Sequence, residues 1–172
     1  GIVMLVMPPQ PVQAATPTQV EVVLHKLLFD DTAPDTQAND GSTQPHFTQS
    51  SRPLNGVTFT AYDVTAAFWQ KVDAGMSRQR AQTVLAEANY QPARGSRVQS
   101  AVTQGLGQAT FSQLPLQRGG RYAVYLFKES DMPAGITVSQ YLVVVMSGTS
   151  GKIQLRFGCY LKNLQTGGLL NI

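Results

Sequence analysis

The chain has 172 residues, with thirteen basic and ten acidic side chains for a net charge of +3 and no basic run, which excludes the concentrated cationic stripe of a nucleic-acid binder. One cysteine and two histidines exclude a disulfide framework and a Cys-rich zinc site, and no metal or other cofactor is expected. Apolar residues make up 42%, enough for one core, whereas only 13% are charged, so polar cover falls to neutral side chains such as eighteen Gln and fifteen Thr.

The chain opens on the apolar run Ile2 to Met7, then Pro8-Pro9 and a stretch ending Gln13-Ala14-Ala15. Residues 1–14 read as the remnant of a secretory signal peptide cut after Ala14, the alternative being a plain apolar leader. The missing initiator Met and basic segment mark a fragment at the front. The run is far shorter than the roughly 20 residues a membrane-spanning helix needs, so no membrane contact is expected of the mature domain, 15–163. Residues 164–172 read as a truncated linker to a missing C-terminal domain.

In chain order, Gln19–Phe29 is dense in apolar residues and reads as a strand. Residues 30–53, rich in Asp, Thr, Gln, Ser and Pro, read as a long surface loop. A β-branched and aromatic strand follows at 57–63. Thr65 is placed to cap a short helix carrying Phe68, Trp69 and Val72. Ser77 is placed to cap a second, with Ala81, Val84, Leu85 and Ala88 as one apolar stripe, which is ordinary core packing. Residues 92–107 are Gly- and Gln-rich and weakly patterned. Strands follow at 109–112, 121–128, 138–146 and 153–163. Six strands with a helical insertion predict a mainly β, immunoglobulin-like sandwich.

Three polar residues fall on apolar faces. Alternation in the first strand puts Val20, Val22, Leu24, Lys26 and Leu28 together. Lys26 therefore points inward, where an ammonium must be paired, neutral or chemically consumed; the plainer alternative is a strand-end lysine that snorkels out. In the last strand Ile153, Leu155, Phe157, Cys159, Leu161 and Asn163 share a face, leaving Lys162 toward solvent. Asn163 is otherwise a common strand-ending turn residue. Glu129 is in phase with Ala123, Tyr125 and Phe127, a setting in which desolvation favours the protonated acid. The three make a sensible trio: the amine attacks the carboxamide carbon, the acid polarises the carbonyl and shuttles protons, and ammonia leaves. A simple Lys26–Glu129 salt bridge is the alternative.

These segments resemble a known family. Leu24-His25-Lys26-Leu27-Leu28-Phe29 and residues 56–64 resemble the N-terminal domain of sortase-assembled Gram-positive backbone (major shaft) pilins, of the SpaA-like, lactic-acid-bacterial type. Residues 122–130, with Pro133-Ala134-Gly135 following, resemble that family's E-box, and Tyr160-Leu161-Lys162-Asn163 its pilin motif, usually Tyr-Pro-Lys-Asn. The resemblance covers about residues 19 to 163. It implies a CNA-B-type sandwich in a secreted, cell-wall-associated pilus subunit. It further implies that Lys162 is joined by a pilin-specific sortase to the next subunit. Lys26 and Asn163 would form an internal isopeptide bond, with Glu129 as its catalytic acid. The partners would be other pilin subunits and the sortase.

Departures accompany the match. Leu161 stands where the motif has Pro, which removes a φ constraint before Lys162. Cys159 beside the motif reads as a small buried hydrophobe. No sorting signal follows. A competing function is an ancillary pilin or adhesin module, with the loop 30–53 and the insertion 65–91 meeting a host glycoprotein or matrix. A secreted hydrolase built on His25, Asp30 and Asp31 lacks a Gly-x-Ser-x-Gly elbow or a Cys–His pairing.

Overall fold

The structure is a computed structural model that describes residues 1–9, 18–29, 51–131, 141–148 and 151–160. Its organising element is the long apolar strand β1, Gln19–Phe29, too rich in buried side chains to lie at a sheet edge. One side of β1 pairs in parallel with β10, Lys152–Tyr160, from Glu21↔Lys152 to Phe29↔Tyr160. Its other side is shared. β5, Gln108–Pro115, runs antiparallel to it as far as His25↔Gln108, and β2, Ser51–Pro53, takes over from Leu27↔Pro53. The β1–β5 register slips between Val20 and Val22, where Gln113 has φ 58°, a bulge with one residue in the left-handed region.

The second sheet runs β4-β3-β8-β9, with β3 at Thr58–Asp63, β4 at Arg97–Val102, β8 at Val124–Asp131 and β9 at Tyr141–Val145. A two-residue pair, β6 (Gln117–Arg118) and β7 (Arg121–Tyr122), forms a small hairpin. The sheets face each other over Val20, Val22, Leu24, Phe59, Phe111, Tyr125, Phe127, Leu155 and Phe157. The opposite face of the second sheet is not left to solvent. Helices α1 (Thr65–Asp73) and α2 (Arg78–Leu85) lie against it through Phe68, Trp69, Ala81 and Leu85, which meet Val124, Leu126 and Val143. Alternation along β8 thus serves two cores, odd-numbered residues inward and even-numbered residues to the helices. The chain is mainly β, a sandwich with a helical layer on one side, as expected.

Cations rim the outer core over aromatic rings. The Arg78 and Arg121 guanidiniums lie 4.9 and 4.3 Å from the Trp69 ring centre, and Lys128 stands 4.8 Å from the ring of Tyr141 and 5.9 Å from that of Tyr62.

Several expectations need correction. Thr65 does not cap α1; it is the first helical residue, and Val64 precedes it. The Asp63 carboxylate accepts from the Thr65 N–H at 3.0 Å, an Asx turn that leads into the helix. Ser77 does cap α2, accepting from the Arg80 N–H at 3.1 Å, but α2 ends at Leu85, so Ala88 falls outside it and is exposed. The predicted strand 121–128 is two strands, since Ala123 turns away to bond Leu116 at 2.9 Å. Residues 92–107 contain β4, an edge strand with no fully buried residue, which is why no alternation announced it. Residues 51–53 of the predicted loop form β2; the remainder of that loop, 30–50, and residues 138–140 lie outside the described residues. Ile2 to Met7 are exposed, Ile2 at 96%. Among the described residues no helix is long and apolar enough to cross a membrane.

Candidate functional site

The inward row of β1 is buried as the alternation requires, and Lys26 is buried with it, at 0% exposure. Its neighbour in the parallel ladder is Phe157, whose ring centre lies 5.2 Å from that of Phe59. Glu129 continues the inward row of β8 after Tyr125 and Phe127 and is 3% exposed. It stands opposite Phe59 in the β3–β8 ladder, and the register slips just beyond it, between Phe59↔Glu129 and Thr58↔Asp131, leaving Ser130 as the bulged residue. Such a bulge re-aims the side chains around it.

Across the gap between the sheets the Lys26 Nζ donates to Glu129 Oε1. The two side chains belong to different sheets, so the contact spans the sandwich. Taking both ions out of water costs several kcal/mol each, and their attraction offsets that only with good geometry and further hydrogen bonds. Apolar residues of similar volume at both positions would often give a core at least as stable.

Cys159, on β10 opposite Leu28, is the third polar atom in this region. It is 3% exposed, and its thiol donates to the Leu27 carbonyl at 3.3 Å. Burial pushes the thiol up to about 11, with smaller opposing effects from Lys26, which lowers it, and Glu129, which raises it. It is an inert buried thiol, in line with the reading of Cys159 as a small hydrophobe.

The structure therefore brings Lys26 and Glu129 together. Asn163, Lys162 and Leu161 lie outside the described residues, and of the pilin motif only the backbone of Tyr160 is described, paired with Phe29 at the end of β10. Of the hydrolase candidates, His25 is on the opposite face of β1, its Nε2 2.9 Å from Gln154 Oε1; Asp30 and Asp31 lie outside the described residues. The sequence reading missed how the backbone of Lys26 is held. The Lys26 N–H donates to Gly107 O at 2.8 Å, and the Lys26 carbonyl accepts from Leu54 N–H at 3.0 Å. Neither partner carries a side-chain signal that patterning could detect.

Comparison with known proteins adds the identity of the fold. Residues 17–164 match the family model for the Gram-positive pilin subunit D1, N-terminal domain. The SpaB basal pilin from Lactobacillus rhamnosus GG is 43% identical, with a TM-score of 0.64 over 83% of this chain and 98% of that one. The shaft pilin SpaA from the same organism is 26% identical, with a TM-score of 0.58 over 85% of this chain and 52% of that one, so the chain spans about half of SpaA's length. No curated protein matches the chain. A wide family match, a sandwich shared with solved pilins and a structural rather than enzymatic relationship agree: the chain belongs to the Gram-positive pilin N-terminal domain family and is a structural subunit of a cell-surface pilus.

Proposed function

We propose that residues 15–163 form the N-terminal domain of a subunit built covalently into its pilus, with Lys162 as the nucleophile that a pilin-specific sortase joins to the neighbouring subunit. Within the domain, Lys26 and Asn163 become linked by an isopeptide bond. The Lys26 amine attacks the Asn163 carboxamide carbon and the C–N bond to the departing nitrogen breaks. Glu129 carries the proton between the two nitrogens, and ammonia leaves. The observation that carries this reading is a fully buried lysine donating to a buried glutamate inside an apolar core, an arrangement that suits a reacting pair better than a stabilising one. A link from residue 26 to residue 163 stabilises by about 4–5 kcal/mol on the chain-entropy treatment used for disulfides. The chain has a single cysteine and so no disulfide of its own to do the same.

A second reading is a subunit at the base of the pilus rather than along its shaft. It is favoured by the 43% identity to a basal pilin against 26% to a shaft pilin. An ancillary or adhesin role, with a host glycoprotein or matrix as partner, has no such observation in its favour.

Intact-mass measurement tests the internal bond. The chain is expected one ammonia lighter than its composition, and the Glu129→Ala and Asn163→Ala variants at full mass; a full mass in all three refutes the bond. Incubation with a pilin-specific sortase and a sorting-signal peptide tests the external one. A single peptide adduct on the chain is expected, and Lys162→Ala abolishes it; a parent chain that forms no adduct refutes Lys162 as the nucleophile.

A further inference from the structure

Lys26 occupies a switch point on β1. Up to His25 the strand's free side is covered by β5, and from Leu27 onward by β2. At Lys26 itself neither ladder serves. In a strand the N–H and C=O of one residue point the same way, so both groups of Lys26 face the gap between the two neighbours and need partners there. They find them in two different segments, Gly107 O for the N–H and Leu54 N–H for the carbonyl.

Those two segments are bolted to each other. The Asn55 side chain accepts from Gly107 N–H at 2.9 Å and donates to Gly105 O at 3.0 Å. Buried Thr103 donates its hydroxyl to Leu54 O at 2.8 Å and accepts from Val57 N–H at 3.0 Å. Gly107 itself has φ +73°, and a Cβ built on it lies 2.6 Å from the Lys26 carbonyl oxygen and 3.0 Å from Leu54 N. Only glycine fits, both for the backbone conformation and for the space.

We propose that Gly107 and Asn55 are positioning residues for the cross-link, a backbone clamp that fixes the peptide units on both sides of Lys26 and so aims its amine at Glu129. The inference deepens the cross-link reading above and rests on it. Any side chain at position 107 must push the Lys26 carbonyl away. A shift of about 1 Å at a reacting atom slows chemistry by roughly a hundredfold, so the clamp governs the rate of ammonia loss far more than it governs the fold.

Two readouts test it in the full chain with Gly107→Ala, Asn55→Ala and Asn55→Asp, and with Phe68→Leu as a destabilised control from the helix-side core. The first is the rate of ammonia loss after refolding, read by intact mass. The second is acetylation of Lys26 by an amine-reactive ester, mapped by peptide mass in an Asn163→Ala background where no cross-link forms. All variants are compared at the same interval below their melting temperatures. Expected are at least tenfold slower ammonia loss and at least tenfold faster Lys26 acetylation in Gly107→Ala, a smaller change of the same sign in Asn55→Ala, and partial recovery in Asn55→Asp, which keeps the acceptor for Gly107. Phe68→Leu leaves both rates near those of the parent chain. The clamp is overturned if Gly107→Ala and Asn55→Ala behave like Phe68→Leu in both readouts. A parent chain that retains its full mass refutes the cross-link itself, and the acetylation rates then decide the clamp alone.

Discussion

The second sheet buries side chains on both faces, and its two cores treat positive charge in opposite ways. Toward the helices, Arg78, Arg121 and Lys128 stay at the rim, resting on Trp69, Tyr62 and Tyr141 with their heads able to reach water. Toward the first sheet, Lys26 has no such exit and meets Glu129 among phenylalanines. Both cores draw on one strand, β8, whose even-numbered residues join the first solution and odd-numbered residues the second. The helix-side core is organised by packing and tolerates its charges cheaply. The inter-sheet core accepts a large electrostatic cost at one place, the buried pair of Lys26 and Glu129.

The largest effect expected is from breaking the pair. In an Asn163→Ala background, Glu129→Leu should cost about 3–5 kcal/mol because it leaves a buried ammonium without its carboxylate. Lys26→Met combined with Glu129→Leu should be clearly less harmful than the sum of the single changes. Urea unfolding of the four proteins measures this, and additive costs would mean that the two groups do not act as a unit. A purely apolar deletion on the other side provides the reference. Leu85→Ala should cost about 3 kcal/mol by transfer and cavity terms, with no change in the fraction of chain that has lost ammonia.

The smallest effect is in the alkaline range. The Cys159 thiol ionises near 9.0 when unfolded and at about 11 in the fold, so folding disfavours its thiolate. Its contribution is constant below about pH 9 and stability falls as pH rises from there toward about 11. Cys159→Ala should remove that part of the slope. Because burial also raises Tyr90 and Tyr125, the difference between parent and variant is the quantity to follow. Identical slopes would place the thiol in water.

Much of this contrast was legible in the sequence, and the reasons are specific. Lys26 could be placed inward because β1 alternates over eleven residues and one register error would expose its whole inner row. Glu129 followed from its phase with Tyr125 and Phe127. β4 was invisible because an edge strand with half-buried Gln99 and Ala101 has no period to detect. The start of α1 was misread because the Thr65 hydroxyl is engaged elsewhere, donating to Asp63 and accepting from the Val124 N–H, and caps no helical N–H. Gly107 was hidden for a deeper reason. In a stretch of Gly and Gln nothing marks the one glycine that a strand elsewhere in the chain requires.

The parallel pairing of β1 with β10 also sets an order of events. The first long strand cannot complete its sheet until the last has arrived, since Leu24 is paired with Leu155. Contacts so distant in sequence close large loops and form late, which makes such topologies slow. Until then the β1 edge that β10 pairs is open, and the inward row beside it lacks its neighbours Leu155 and Phe157. Lys26 is thus enclosed only when the domain is nearly whole, and a nascent or truncated chain keeps its amine in water. Sheet closure reports on completeness: only a chain whose β10 has docked encloses Lys26 beside Glu129.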